Sequence, residues 1–331
     1  MEIEYGCLGE LREQLSKRGL IRENTRERRG NLWDVKARGP VVFVGQPEYY
    51  RDAYYDAVSD GKHFEYPIRF TKRSPLEGLP KFVEERGIGT CVIFRPEFFF
   101  GAFSDVFFKL KKMEVCMVGF STEPLPFRWD EAIHPDKRIR LNSLLDVLNL
   151  DYDLIVHYDA SSLDILKKLG FGKVIANPIP VSRKLYFPED CEPSFDICFL
   201  GRSTEYRESV MARLKCELDI VHIVHGITGH EARRIINRSK AVLNIHNYEY
   251  DNYEHRVTVG LFCRKVIFSE RLSGGLLMPE RDYILYESGQ ELYEKFMEFL
   301  RGTYGREPEI DLSIFTVERL LERIGIEAEI R

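Results

Sequence analysis

The chain has 331 residues, 44% hydrophobic and 12% aromatic, which exceeds one ordinary core and can fill two domains of roughly 150 residues each. Its 53 Asp and Glu against 48 Lys and Arg leave a net charge of −5, without the basic face that wholesale nucleic-acid binding needs. No run approaches the roughly 18 apolar residues that span a bilayer. Met1-Glu2-Ile3-Glu4 has neither the basic nor the apolar region of a secretion signal, so a soluble cytoplasmic protein is expected.

The cysteines (Cys7, Cys91, Cys116, Cys191, Cys198, Cys216 and Cys263) are odd in number and form no CxxC pair, which points away from a zinc site or a disulfide framework. Cys91, Cys116 and Cys198 lie in apolar runs and read as core thiols. Glutamine occurs only at Gln14, Gln46 and Gln290 while charged residues reach 31%, a lean towards a thermophilic composition.

Residues 1–39 carry Leu8, Leu11 and Leu15 at helical spacing and then a basic run from Arg22 to Arg38. They read as a helical, solvated arm, with a weak contact to an anionic membrane surface as the alternative. The first regular domain, 40–176, opens on the buried run Val41-Val42-Phe43-Val44, which ends in Gly45-Gln46-Pro47 and feeds a helix from Tyr49 to Val58. A glycine turn between strand and helix presents backbone N–H groups at the carboxyl edge of a sheet, although GxGxxG is absent here.

Further strands are expected at Tyr66–Phe70, Thr90–Phe94, Val115–Gly119 and Leu154–His157, with helices at Leu79–Glu85, Ser104–Lys112 and Ser161–Leu169. That alternation predicts a parallel sheet flanked by helices. Glu123 follows a strand end beside Phe120 and Phe127, where apolar surroundings would raise a carboxyl towards the range of a general base; capping a turn or pairing with Arg128 is the competing reading. Glu97 is a weaker candidate for the same role. Asp151-Tyr152-Asp153 has the form of a metal-binding pair but precedes a strand, at the amino edge, and reads as a solvated turn.

Asn177-Pro178-Ile179-Pro180 cannot continue a helix or a central strand, so 177–194 reads as a linker. The second domain, 195–312, then repeats the opening of the first: strand Phe195–Leu200, turn Gly201-Arg202-Ser203, helix from Tyr206. A guanidinium at Arg202 beside a helix N-terminus suits a phosphate or diphosphate. After a strand at Asp219–His225 and a helix at His230–Ser239, Ala241-Val242-Leu243 gives way to Asn244, His246, Glu249, Glu254, His255 and Arg256. His222, His225 and His230 cross a strand end and a turn with no completing thiol or carboxylate, so no metal is expected there. A short strand at Tyr283–Tyr286, a helix at Ser288–Leu300 and a last helix at Ser313–Ile324 close the chain, 313–331 being a terminal helical segment.

Phe199-Leu200-Gly201-Arg202, Ser239 to Asn244, the helix-strand from Arg256 to Ser269, and Tyr283 to Leu292 with its Ser288-x-x-Glu291-Leu292 helix start resemble the carboxyl-terminal domain of CgeB-like glycosyltransferases, similar to group 1 enzymes of the GT-B fold. Gly119 to Pro124 and Asn177-Pro178 extend the resemblance over most of residues 40–300. It implies an α/β protein of two Rossmann-like domains facing a central cleft, the GT-B architecture, with the acceptor on the first domain and a nucleotide-sugar donor on the second. The implied activity is hexosyl transfer to a glycan or lipid-linked acceptor, with the nucleotide-sugar as co-substrate and neither cofactor nor metal. Arg202, Asn244, His246, Glu254, Arg256 and Glu270 are then the expected donor contacts, and Gly45, Gln46 and Gly201 the expected cleft lining.

Two departures stand out. The family places a glutamate three residues after the arginine and then a Cys-Gly pair; here Arg256 is followed by Val259, and Cys263 by Arg264. The competing functions are therefore a catalytically inactive GT-B-like protein that binds a glycan or partner, and a nucleotide-sugar epimerase.

Overall fold

The computed structural model describes residues 35–69, 75–122, 150–224, 226–247, 253–303 and 310–326, with Lys17, Ser143, Asp146 and Val147 besides. The chain divides into two compact units, one of Met1–Arg51, Ala57–Pro178 and Leu320–Arg331, the other of Asp52–Asp56 and Ile179–Arg319.

The first sheet is built from β1 (Val41–Gly45), β2 (Phe64–Pro67), β3 (Thr90–Phe94), β4 (Cys116–Ser121), β5 (Leu154–His157) and β6 (Val174–Ala176). Between the strands run α1 (Pro47–Ser59), α2 (Leu79–Glu85), α3 (Ser104–Lys112) and α4 (Leu163–Lys168). All pairings are parallel, in the order β2-β1-β3-β4-β5-β6. β1, β3 and β4 are buried at every position, as strands covered on both faces must be, which is why they read as unbroken apolar runs. Val42, Val44, Cys91 and Ile93 pack under Leu79, Val83, Phe107 and Leu110.

Two expectations shift here. β2 forms at Phe64–Pro67 rather than from Tyr66, with Phe64 opposite Val42 and Pro67 opposite Gly45. Asp153 is not solvated: its carboxylate lies 2.5 Å from Lys111 Nζ, both side chains are buried, and Oδ2 accepts the Met117 N–H at 2.8 Å. The pair joins α3 to the start of β4 and is a structural element at the amino edge of the sheet.

The second sheet comprises β7 (Phe195–Leu200), β8 (Ile220–Ile223), β9 (Ser239–Asn244), β10 (Val266–Ser269) and β11 (Ile284–Leu285). Its helices are α5 (Glu205–Glu217), α6 (Gly229–Asn237), α7 (His255–Phe262) and α8 (Gly289–Leu300). The order is β11-β10-β9-β7-β8, again all parallel. Thr204 caps α5 by accepting the Arg207 N–H at 3.3 Å, and Ser288 caps α8 by accepting that of Glu291 at 3.1 Å. Glu291 in turn accepts the N–H of Glu287, the residue before the cap, so the Ser-x-x-Glu pattern closes the helix start in the manner of a capping box displaced by one residue. α7 meets the sheet at Gly260, where an added Cβ would stand 2.6 Å from Ile267 Cδ1.

Two parallel sheets with alternating helices bear out the two Rossmann-like domains, each in the flavodoxin-like order 2-1-3-4-5, extended by one strand in the first. The expected single helix at Ser313–Ile324 is instead a 3-10 turn, Leu312–Phe315, and α9 (Val317–Arg323), separated by Thr316 in extended conformation. Thr316 Oγ1 donates back to the Ser313 carbonyl at 3.0 Å and diverts the chain from a continuous helix.

Candidate functional site

In a doubly wound sheet the strand order reverses at one point, and the carboxyl ends of the two strands there leave a crevice for ligands. In the second sheet that point lies between β7 and β9. Gly201 follows β7, and Ile245 and His246 follow β9.

Two guanidinium groups stand there. Arg207, in the first turn of α5, is 3% exposed. Its Nε donates to the carbonyls of Ile245 at 3.1 Å and His246 at 3.2 Å, and its Nη1 to that of Arg202 at 3.0 Å. Arg256, in the first turn of α7, donates through Nη1 to Asn244 Oδ1 at 2.5 Å and to the Ile245 carbonyl at 3.2 Å, while Nη2 lies 3.1 Å from Glu254 Oε2. The two guanidinium carbons sit 5.2 and 5.4 Å from the Phe199 ring centre, within cation–π reach. An added Cβ at Gly201 would come 3.3 Å from Arg207 Nη1 and 3.4 Å from Arg256 Nη2, so the glycine leaves both groups open to a close approach.

The electrostatics are unbalanced. Arg256 has Glu254, but Arg207 makes no ion pair among the described residues; its partners are carbonyls. Desolvation, with Arg256 next, pushes the Arg207 pKa down to about 10. Arg202, exposed at the same turn, adds a third positive charge. Glu254 and Glu270 act on Arg207 at longer range and favour its charged form, which leaves three cations against two carboxylates; an anion bound beside a buried, partly compensated cation offsets the remaining cost.

The other expected donor contacts are placed close by, but they face one another. Asn244 is fully buried, its Nδ2 donating to Ser269 Oγ at 2.8 Å and its Oδ1 taken by Arg256. Glu270 accepts the Tyr206 hydroxyl and, at 2.5 Å, the His246 N–H. Tyr286 donates to the Asn244 carbonyl at 2.7 Å, and burial holds its hydroxyl pKa well above 10.0. Val259 is 5% exposed, so the position where the family carries glutamate is packed into the core. Arg264, in place of the family's glycine, takes a left-handed φ of +54°. His255 donates to the Pro180 carbonyl at 3.2 Å, and Tyr253 shares a 2.6 Å hydrogen bond with Thr258.

In the first unit Gly45 packs on Phe94 and Tyr50, and the Gln46 carbonyl accepts the N–H groups of Tyr49 and Tyr50. Glu97 is paired with Arg95, whose Nε lies 2.7 Å from its carboxylate. Glu123, Tyr248, Tyr250 and His225 lie outside the described residues, as do residues 1–34 of the amino-terminal arm apart from Lys17. No group of three or more His, Cys, Asp or Glu able to hold a metal occurs among the described residues, and none of their helices is long and apolar enough to cross a membrane.

No family model matches the chain, and no curated protein matches it. Among solved structures the chain is similar to the GtfA/B complex, at 11% identity over 77% of this chain and 62% of that one, with a TM-score of 0.40. It is also similar to S. aureus TarM, solved as a mutant with fondaparinux, alpha-GlcNAc-glycerol and UDP, at 9% identity over 69% of this chain and 52% of that one, TM-score 0.43. A third likeness is to the Glycosylation Associate Protein (Gap123) complex from Streptococcus agalactiae, at 11% identity over 74% and 54%, TM-score 0.42. The chain thus spans between 52% and 62% of the length of these solved chains.

Proposed function

We propose that the chain is a hexosyl-type glycosyltransferase of the CgeB-like, group 1 kind, which moves a sugar from a nucleotide-sugar to a glycan or lipid-linked acceptor. The observation that carries this reading is the pair Arg207 and Arg256 at the β7/β9 switch point, with Arg207 lacking a carboxylate of its own. Fixed guanidinium groups aimed where a diphosphate leaves stabilise the charge that develops on it, so the reading is metal-independent. Arg202 at the exposed edge would extend the same field.

A second reading, a catalytically inactive protein that binds the same nucleotide, has its own support. Glu254 and Glu270 are both engaged within the protein, and Val259 supplies no carboxylate for a ribose.

Calorimetry against UDP, GDP, dTDP and their sugars tests both. One nucleoside diphosphate is expected to bind with a Kd on the order of micromolar. Arg256→Ala is expected to weaken it by about 2–3 kcal/mol, the scale of a charged hydrogen-bonding partner. If none of the nucleotides binds, the transferase reading fails. Tight binding with no sugar transferred to any acceptor in a glycan and lipid-linked panel favours the second reading, and free monosaccharide released without an acceptor points to hydrolysis.

A further inference from the structure

His246 lies just past the end of β9, 3% exposed. Its backbone is held on both sides: the N–H donates to Glu270 and the carbonyl accepts from Arg207. Its ring Nε2 lies 2.8 Å from the Arg271 carbonyl. A carbonyl only accepts, so Nε2 carries the proton, and in the neutral ring Nδ1 is a bare acceptor. That Nδ1 is buried and has no hydrogen-bond partner among the described residues, and the same holds for the buried amide oxygen of the next residue, Asn247. Two adjacent orphaned acceptors are rare in a folded chain, and each costs about 1–3 kcal/mol while it lacks a donor.

A phosphate cannot relieve the cost at Asn247 Oδ1, which is an acceptor at every pH, nor at Nδ1 of the neutral ring. At neutral pH its oxygens accept, and lone pairs facing lone pairs repel. The partner that fits is a donor, and on a nucleotide-sugar the donors nearest the diphosphate are hydroxyls of the sugar and the ribose. We infer that His246 Nδ1 receives a hydroxyl of the same ligand whose anionic part Arg207 and Arg256 hold. This rests on the nucleotide-sugar reading above and sharpens it. The site then has a cationic side for the diphosphate and an acceptor-only side for a hydroxyl, and His246 does not contact the diphosphate. The hydroxyl belongs either to the transferred sugar or to the ribose.

Two substitutions in the full chain separate the ring nitrogens. His246→Gln keeps an N–H near the Nε2 position for the Arg271 carbonyl and deletes the acceptor at Nδ1. His246→Asn keeps an acceptor near Nδ1 and gives up the Nε2 contact. Calorimetry with inorganic pyrophosphate, the nucleoside diphosphate that binds, and its sugar ester reads the outcome. His246→Gln is expected to hold pyrophosphate within about twofold and to lose about tenfold in affinity for the hydroxylated ligand, near 1.4 kcal/mol. His246→Asn is expected to retain most of that affinity. A loss seen already with the nucleoside diphosphate assigns the hydroxyl to the ribose, and a loss confined to the sugar ester assigns it to the sugar. The inference is overturned if His246→Gln weakens all three ligands alike or none of them, the latter meaning that water satisfies Nδ1. Failure of every nucleotide to bind the unmodified protein overturns this inference and the transferase reading together, whereas normal nucleotide binding that His246→Gln leaves unchanged overturns this inference alone.

Discussion

In the first unit the turn after β1 is walled by aromatic rings; in the second, the turn after β7 is walled by guanidinium groups. An added Cβ at Gly45 would meet Phe94 Cβ at 3.2 Å and Tyr50 at 3.3 Å, and the Tyr50, Phe94 and Phe120 rings stack in succession with centres 5.0 Å apart. At Gly201 the corresponding neighbours are Phe199, Arg207 and Arg256. Strand order and turn glycine are shared, so topology alone makes a crevice in both sheets and side-chain chemistry decides what fills it. The buried cations differ in the same way. Lys111 has Asp153 at 2.5 Å, whereas Arg207 has only carbonyls. Lys111 is compensated by direct contact, whereas Arg207 is compensated only at longer range, by Glu254 and Glu270, the condition under which a bound anion would gain most.

The largest effect expected from that contrast is on stability. Asp153→Ala strands the Lys111 ammonium in the core and should lower the unfolding free energy by about 3–5 kcal/mol, equally with and without nucleotide. Arg207→Met should cost about 1–2 kcal/mol without ligand, because losing donors to three carbonyls is offset in part by removing a desolvated charge. In nucleoside diphosphate the gap between Arg207→Met and the unmodified protein should widen. Denaturant titrations with and without ligand check both, and a ligand-dependent cost for Asp153→Ala would break the contrast.

Much of this architecture was legible before any coordinates. Buried parallel strands have no polar face, so Val41–Val44, Thr90–Phe94, Leu154–His157 and Phe195–Leu200 announce themselves as apolar runs, each followed by turn residues. Ser288 and Glu291 marked the start of α8 by cap chemistry that is local in sequence. The polar cluster at the β7/β9 edge was legible in location but not in wiring. Asn244, Glu254 and Glu270 read as groups waiting for a ligand because polar residues at strand ends usually face one. The partners of Asn244 and Glu270, namely Ser269, Tyr206 and His246, are set by the register of β9 against β10 and by α5, separations of 24 to 64 residues that no local pattern encodes, whereas Glu254 pairs with Arg256 only two residues on. Arg207 escaped notice for the opposite reason: on an amphipathic helix an arginine normally belongs to the solvated face. Its place in the first turn after the Gly201 turn was the available signal.

A smaller, positive effect comes from backbone conformation. Arg95 after β3 and Arg264 after α7 are both arginines at left-handed φ, +62° and +54°. Arg264 has no ion pair or side-chain hydrogen bond among the described residues, so Arg264→Gly should stabilise by about 0.5–1 kcal/mol by relieving the left-handed strain. Arg95→Gly relieves the same strain but gives up the 2.7 Å contact to Glu97, and should come out near neutral. Thermal unfolding of the two variants distinguishes a strained turn that is merely tolerated from one held in place by a partner.

The smallest effect concerns one histidine in each unit. Burial lowers the pKa of His63, helped by Lys62, and burial lowers that of His255 below 6.5 as well. The unfolded chain therefore takes up these protons at a pH where the folded chain still refuses them. Stability is full above about 6.5 and declines as the pH falls from there through the folded values. His63 Nδ1 accepts the Val41 N–H at 3.1 Å, a bond that protonation at Nδ1 destroys, while His255 donates from Nε2 to Pro180 and keeps its bond when charged. His63→Asn, which retains an acceptor near Nδ1 and cannot titrate, should flatten the loss of stability between pH 6.5 and pH 5 more than His255→Gln does. Urea unfolding across that range reads the two slopes, and equal flattening would mean that burial alone, not the Val41 bond, sets the response.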